Sequence, residues 1–232
     1  MLVLYQILIT PHVRESDHGS RPHPKGWGSF LGGERMKSPE RAMIFLDSSN
    51  FYYSLKEIGK SLYDIDFHKF SSLILVANRN LVKFFYYTAP VDRATVPEMY
   101  KAQQFFWSRL QSKGITLRLG YLQRKLFKCP MCGIEQNGIK CPQCGNIFAR
   151  LEEKGVDVHI ATDIVSYAAS NEYDIGYLVS SDGDLAEACK RARSLGKRIV
   201  YICVPPIQSM ALTKACNYTA KKDHSFFDSC RI

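Results

Sequence analysis

The sequence has no apolar run approaching the roughly 20 residues that a membrane-spanning helix needs. It has no glycine-rich phosphate loop and no serine–histidine–aspartate set, so P-loop nucleotide hydrolysis and triad acyl transfer have no residues to rest on. There is no internal repeat. The apolar opening MLVLYQILIT has no basic residue before it and no clear small-residue cleavage site, which makes it a poor signal peptide. Acid is the scarcer charge: 22 Asp+Glu stand against 31 Lys+Arg, a net +9. Residues 1–40 supply only +1 of this, so +8 belongs to the body of the chain. A basic body around an acidic centre suits a polyanionic substrate handled at a metal.

Those few acids are not scattered. The stretch Lys154 to Glu187 holds Asp157, Asp163, Asp182 and Asp184. An apolar run, Ile175 to Val179, leads into Ser180-Ser181-Asp182-Gly183-Asp184, which reads as a buried strand, a tight turn and a helix start. Carboxylates at the carboxyl end of a parallel strand sit where open α/β sheets bind ligands. Aspartates two residues apart repel unless a cation or proton intervenes, which points to a hard divalent ion, Mg2+ or Mn2+.

Residues 1–40 mix Pro, Gly, His and Ser without periodicity and are expected to be disordered or loosely packed, with Met36 and Met43 as alternative starts. From Arg41 strands and helices alternate. Strands are expected at Ala42–Leu46, Leu81–Thr88, Ile115–Leu122, Ile175–Val179 and Arg198–Val204. Helices are expected at Phe51–Ile58, Phe67–Ala77, Glu98–Lys113, Lys154–Ala169, Asp184–Leu195 and Ile207–Ala215. Phe226-Phe227 suggests a short terminal strand. The pattern is an α/β fold, a parallel sheet with helices on both faces. The expected domains are a leader over 1–40, a main domain over 41–216, an insertion over 127–148 within it, and a C-terminal tail over 217–232 that packs on the domain.

If the first and fourth strands are neighbours, Asp47 converges with Asp182 and Asp184. Asp157 falls at the start of the helix before the fourth strand and Asp163 about two turns in, six residues on, so the two do not share one face squarely. Asn50 can hold a carboxylate or a water. Such a site would lower the pKa of a metal-bound water and stabilise charge on a phosphate. The alternative is that Asp47, Asp157 and Asp182 merely cap helices.

DSSN at 47–50, KGVDVHIATD at 154–163 and SSDGDL at 180–185 resemble the NYN domain of the PIN-like superfamily, in its LabA/DUF88 branch. The resemblance spans about Arg41 to Val204 and is most specific over Lys154–Leu185. It implies a PIN-like Rossmannoid fold, with five parallel strands ordered 3-2-1-4-5, and a metal-dependent endoribonuclease. By position it implies that Asp47, Asp163, Asp182 and Asp184 hold Mg2+ or Mn2+, with Asn50 and Asp157 supporting. Ser48 and Ser181 stand where Gly is usual in that family, and Leu185 where Phe is usual. Every acid is present.

Eight cysteines include two CPxCG knuckles, Cys129 with Cys132 and Cys141 with Cys144, separated by eight residues. Two such turns supply four thiolates to one tetrahedral zinc, a filled and therefore structural site; rubredoxin-type iron is the chemical rival. Too short for a core, the module would depend on its metal. The remaining cysteines are scattered, a reduced-compartment pattern that fits the cytoplasm. Arg124, Lys125, Lys128, Lys140 and Arg150 surround the knuckles, either as an RNA grip or as a solvated surface. Lys190, Arg191, Arg193, Lys197 and Arg198 offer a phosphate track or a solvated helix face. The aromatic run Phe84–Tyr87 is expected to place alternate members in the core. The expected partner is single-stranded RNA, with no membrane, and a homodimer is the first assembly to test. A non-cleaving RNA-binding protein using the same crevice and finger is the alternative. A HAD-like phosphatase is weaker, since it needs an Asp where Ser49 stands.

Overall fold

Ala42 to Leu46 is buried on both faces, as a strand must be when parallel neighbours flank it and helices cover it above and below. The computed structural model describes residues 38–232, apart from 76–77, 146 and 149. The leader expected over 1–40 therefore falls almost wholly outside the described residues.

The main sheet opens with β1 (Glu40–Asp47). It continues through α1 (Ser48–Glu57), a 3-10 turn (Leu62–Asp64), α2 (Phe67–Ile74), β2 (Arg79–Thr88), α3 (Pro97–Ser112) and β3 (Thr116–Leu119). The chain then leaves the sheet in an arm: β4 (Tyr121–Lys125), β5 (Phe127–Lys128), β6 (Glu135–Gln136), β7 (Ile139–Lys140), β8 (Ile147–Phe148) and β9 (Arg150–Lys154). It returns through α4 (Val156–Ala169), β10 (Ile175–Val179), a 3-10 turn (Gly183–Leu185), α5 (Ala186–Ser194), β11 (Arg198–Cys203), α6 (Met210–Ala215), β12 (Tyr218–Lys221) and α7 (His224–Ser229).

The sheet order is β12-β11-β10-β1-β2-β3, with every pairing parallel. This is the expected order extended by one strand: six strands, not five. The sixth, Tyr218–Lys221, pairs with Val200–Cys203, while Phe226-Phe227, expected as a strand, lies in α7. Asp223 caps that helix by accepting from the Phe226 N–H, and Phe227 is fully buried. β3 ends at Leu119, short of the expected Leu122, because the next residues pair elsewhere. Lys154, expected to open a helix, is instead the last rung of the stem formed by β4 and β9, where Tyr121 faces it.

Alternation along β1 feeds two cores. Ala42, Ile44 and Leu46 meet Phe51, Phe67, Phe70, Phe106 and Phe227 on one side. Met43 and Phe45 meet Ile160, Ile164, Tyr173 and Cys189 on the other. The aromatic run of β2 is divided the same way, Phe84 and Tyr86 to the first core, Phe85 and Tyr87 to the second, all four buried. Phe45 stacks on Phe85 at 5.8 Å and meets Tyr173 edge-on at 5.7 Å. Truncating such a ring to alanine costs about 3–5 kcal/mol.

Gly120 marks the exit of the arm. A Cβ there would lie 2.5 Å from the Lys154 carbonyl oxygen and 2.7 Å from Val156 Cγ2, so no side chain fits. The chain re-enters at Gly155, whose φ of +85° lets β9 turn directly into α4. β1 and β10 lie side by side at the point where the sheet order reverses, and their carboxyl ends frame the crevice where such sheets take ligands.

Candidate active site and nucleic-acid interface

Asp47, the last residue of β1, is 1% exposed. Its Oδ1 accepts the Asn50 backbone N–H at 3.1 Å, which caps α1. Its Oδ2 accepts from Asn50 Nδ2 at 2.7 Å and from Ser180 Oγ at 2.9 Å. Burial raises its pKa, these hydrogen bonds pull it back, and Asp182 pushes it up again. Asn50 thus holds the carboxylate as expected of it. Ser180 does the same from the end of β10, a role the sequence did not single out.

The turn after β10 is organised by short-range hydrogen bonds. The Asp182 N–H donates to Ser180 Oγ at 3.1 Å, and the Asp184 N–H donates to Asp182 Oδ1 at 2.9 Å. Asp182 therefore caps its 3-10 turn just as Asp47 caps α1. Capping and site are not exclusive here, since each cap fixes the direction of a carboxylate at the mouth of the crevice.

Asp157, in the first turn of α4, is held above the usual carboxylate range, first by desolvation and then by the negative charges of Asp47, Asp182 and Asp184. Glu153, on the last rungs of β9, is raised by desolvation, lowered by a hydrogen bond from Ser49 Oγ at 3.0 Å, and raised again by Asp47 and Asp157. Glu153 was not singled out from the sequence. Its only signal is Gly155, which breaks the chain between strand and helix and so brings the preceding acid to the mouth.

Asp163 is placed differently from what the resemblance implies. Its Oδ2 accepts from Tyr87 OH at 2.9 Å and from Arg118 Nε at 3.1 Å. Asp163 thus already has two partners on one oxygen, whereas Asp157 is the acid of α4 that feels the charges of Asp47, Asp182 and Asp184. The six-residue spacing along α4 is the physical reason, since it turns the two carboxylates to different parts of the helix surface.

The cysteines form two similar hairpins. β5 pairs with β6 around Cys129 and Cys132, and β7 with β8 around Cys141 and Cys144. Gly133 and Gly145 both adopt positive φ, and their N–H groups donate to the carbonyls of Cys129 and Cys141 at 2.9 Å. The Cys129 thiol is lowered by the backbone N–H groups of Cys132 and Met131, and the Cys141 thiol by those of Cys144 and Gln143. Both turns thus favour the thiolate that a metal binds. Among the described residues, no three carboxylate, imidazole or thiol groups stand close enough, as arranged, to hold one ion between them. Both sets therefore fit a cation by charge and donor chemistry, not by closed coordination.

The basic residues divide. Lys125 pairs with Glu152 at 2.9 Å and Lys128 with Glu135 at 3.7 Å along the arm, while Asp92, whose pKa is lowered first by hydrogen bonds from Thr95 and Ala94, also feels the charge of Arg124. Lys140 lies at the second knuckle, its Cε 3.7 Å from where a Gly145 Cβ would be. On α5, Lys190 pairs with Glu187 at 2.6 Å, Arg191 reaches Ser194, and Arg193 donates to the Ala215 carbonyl at 2.8 Å. Lys197 and Arg198 do not extend this track. Lys197 is buried against Asn171, and Arg198 pairs with Glu40.

A cavity of about 400 Å3 adjoins the acids and shares Ser48, Ser49 and Glu153 with them. It runs between α1, the end of β2, α3 and the base of the arm, and six aromatic side chains are among its lining: Tyr52, Tyr53, Tyr63, Tyr86, Phe106 and Trp107.

A model of the NYN domain matches residues 41–223. The crystal structure of a protein of unknown function from Vibrio parahaemolyticus RIMD 2210633 is similar, with a TM-score of 0.54, 21% identity, and coverage of 82% of this chain and 97% of that chain. At that identity the likeness speaks for the fold alone. No curated protein matches the chain.

Proposed function

The chain belongs to the NYN domain family, whose fold is PIN-like and nuclease-like, and from that premise we propose that it is a divalent-cation-dependent endoribonuclease. One observation carries this reading. Every charged neighbour that moves the pKa values of Asp47, Asp157 and Glu153 is another carboxylate, and every such contribution is upward. A cluster of that sign is what Mg2+ or Mn2+ would relieve.

Asp47, Asp157 and Asp182 would hold the ion, with Asp184 at the rim. When bound, it supplies a water of lowered pKa and stabilises charge on a phosphate oxygen. Asn50 and Ser180 keep the Asp47 carboxylate fixed. Glu153, with its raised pKa, takes the proton of the attacking water. The water oxygen bonds to phosphorus, one bridging P–O bond breaks, and the departing oxygen takes a proton from solvent.

We further assign the chain to the LabA/DUF88 branch, the four knuckle cysteines to a structural zinc, single-stranded RNA as substrate, and the cytoplasm as location. Arg124 and Lys140 along the arm, and Arg191 on α5, are the basic groups offered to the phosphates. Lys125, Lys128, Lys190 and Arg193 are already engaged by Glu152, Glu135, Glu187 and the Ala215 carbonyl. A non-cleaving RNA-binding role is the second reading, favoured by the spacing of the acids. Cleavage of single-stranded RNA in Mg2+ or Mn2+ that is lost in EDTA and in Asp182→Asn supports the enzyme. Binding that survives both, with no cleavage by the unaltered protein, overturns it.

A further inference from the structure

We propose that the aromatic cavity beside the acids is a nucleobase subsite, which receives one unstacked base of a single-stranded RNA while the adjoining phosphate lies at the carboxylates. The inference rests on the ribonuclease reading and deepens it.

The walls are the first reason. Phe106 and Trp107 on α3 are almost wholly buried, whereas Tyr63 and Tyr52 are 47% and 41% exposed at the opening. Tyr63 packs T-shaped against Phe106 with ring centroids 5.1 Å apart, which braces it at the opening. Bases pulled out of a stack are held on such rings, and every base has a face to offer.

Position is the second reason. Ser48 and Ser49 follow Asp47 directly, and Ser49 donates to Glu153. Tyr86, at the cavity wall, has its pKa raised by burial, and the charges of Asp47 and Glu153 add to the rise. The cavity and the acids therefore share a wall, and a phosphate at one puts its own nucleoside at the other.

The polar rim is the third reason. Gln103 Nε2 donates to the Ala89 carbonyl at 3.1 Å, and its Oε1 accepts the Val91 N–H at 2.9 Å, so its amide pins the loop and does not read a base edge. Arg124 stands near Asp92 on the same rim, and Arg93 lies over the Tyr100 ring at 5.9 Å. The site is thus built to stack without reading sequence, with cations nearby for the backbone. At about 400 Å3 it has room for a base and its ribose.

The test uses the full chain carrying Asp182→Asn, so that RNA is bound in Mg2+ without being cut. Binding of a labelled single-stranded oligoribonucleotide, and of an abasic oligomer of equal length, is followed by fluorescence anisotropy. Adding Tyr63→Ala is expected to weaken the base-bearing oligomer about ten-fold. The abasic one should be unchanged, and Tyr63→Phe should restore binding. Tyr52→Ala and Tyr53→Ala repeat the measurement at the other exposed rings, and thermal melts confirm that all the variants fold. Equal weakening of both oligomers, no weakening of either, or no RNA binding at all overturns the subsite. Cleavage by the protein with its native Asp182 is scored separately. Cleavage without a Tyr63 effect removes the subsite alone, and a Tyr63 effect without cleavage removes the ribonuclease alone.

Discussion

Arg118 places Nε 3.1 Å from Asp163 Oδ2 and passes its NH2 to Tyr167 OH at 3.1 Å, which ties the edge strand β3 to α4. On the proposed reading this pair gives Asp163 a structural task, and Asp157, which feels the charges of Asp47, Asp182 and Asp184, serves the crevice. Asp157→Asn should lower RNA cleavage by about 100-fold or more. Asp163→Ala should leave kcat/KM within a few-fold while costing about 1–3 kcal/mol in denaturant unfolding, because the buried Tyr87 hydroxyl loses its acceptor. Equal loss of cleavage in both variants would return Asp163 to the site.

The acid cluster makes a prediction about pH. Asp47, Asp157 and Glu153 have folded-state pKa values above their ordinary ones. The folded protein therefore holds their protons more tightly than the unfolded chain does. The resulting stabilisation is present at low pH and is lost as pH rises through the raised values, above about pH 4. In EDTA, Asp157→Asn should raise the melting temperature at pH 7, by about 0.5–1 kcal/mol of stability. Mn2+ should raise it in the unaltered protein, more at pH 7.5 than at pH 5. A cation effect independent of pH would contradict this.

At the other end of the sheet the sign reverses. Arg41 grips Asp174 through its backbone N–H, Nε and NH2, and the side-chain hydrogen bond holds the Asp174 carboxyl down at about 2. This contribution is present above the ordinary aspartate value and is lost as pH falls from about 4 toward 2. Both side chains are more than a third exposed, so salt should screen the pair. Titration by NMR should find Asp174 near the stated value and returning toward the ordinary one in Arg41→Ala.

Zinc content can be measured directly. One zinc per chain is expected, and Cys129→Ser or a strong chelator should release it. Hydrogen exchange should then lose protection at β5 to β8 and keep it at β10. Loss of protection across the central strands as well would mean that the module is no separate unit.

Gly120 and Gly183 form a matched pair. Gly120→Ala drives a methyl into the Lys154 carbonyl and should cost about 1–3 kcal/mol. A Cβ at Gly183 meets its nearest neighbours only at 3.5 Å, so Gly183→Ala should be close to neutral for stability. Thermal and denaturant melts of the two variants make the comparison.

Much of this architecture could be read from residue order. Ala42–Leu46 and Ile175–Val179 announce themselves as apolar runs because strands covered on both faces tolerate nothing else, and Asp47, Asp182 and Asp184 follow from their ends. The sixth strand could not be read. Tyr218–Lys221 is short and half-exposed, with nothing periodic to mark it. Phe226-Phe227 looks like a strand, but Asp223 starts a helix there and both rings pack inward against α2. The pairing of Asp163 with Arg118 was hidden for another reason: Arg118 lies on β3, and only the folded sheet shows which acid it reaches. Glu153 was hidden because its position depends on the stem closing between Tyr121 and Lys154.

That stem has a wider consequence. Since Tyr121 and Lys154 are opposite one another, the polypeptide comes back to the rung from which it departed. Whatever is spliced between them leaves strand order in the main sheet untouched, so the cysteine hairpins are an exchangeable cassette. The graft has a boundary condition: the rungs from Tyr121 opposite Lys154 out to Arg124 opposite Leu151 must travel with the scaffold, or the exchange would remove Glu153 from the crevice and Leu122 and Leu151 from the cavity wall.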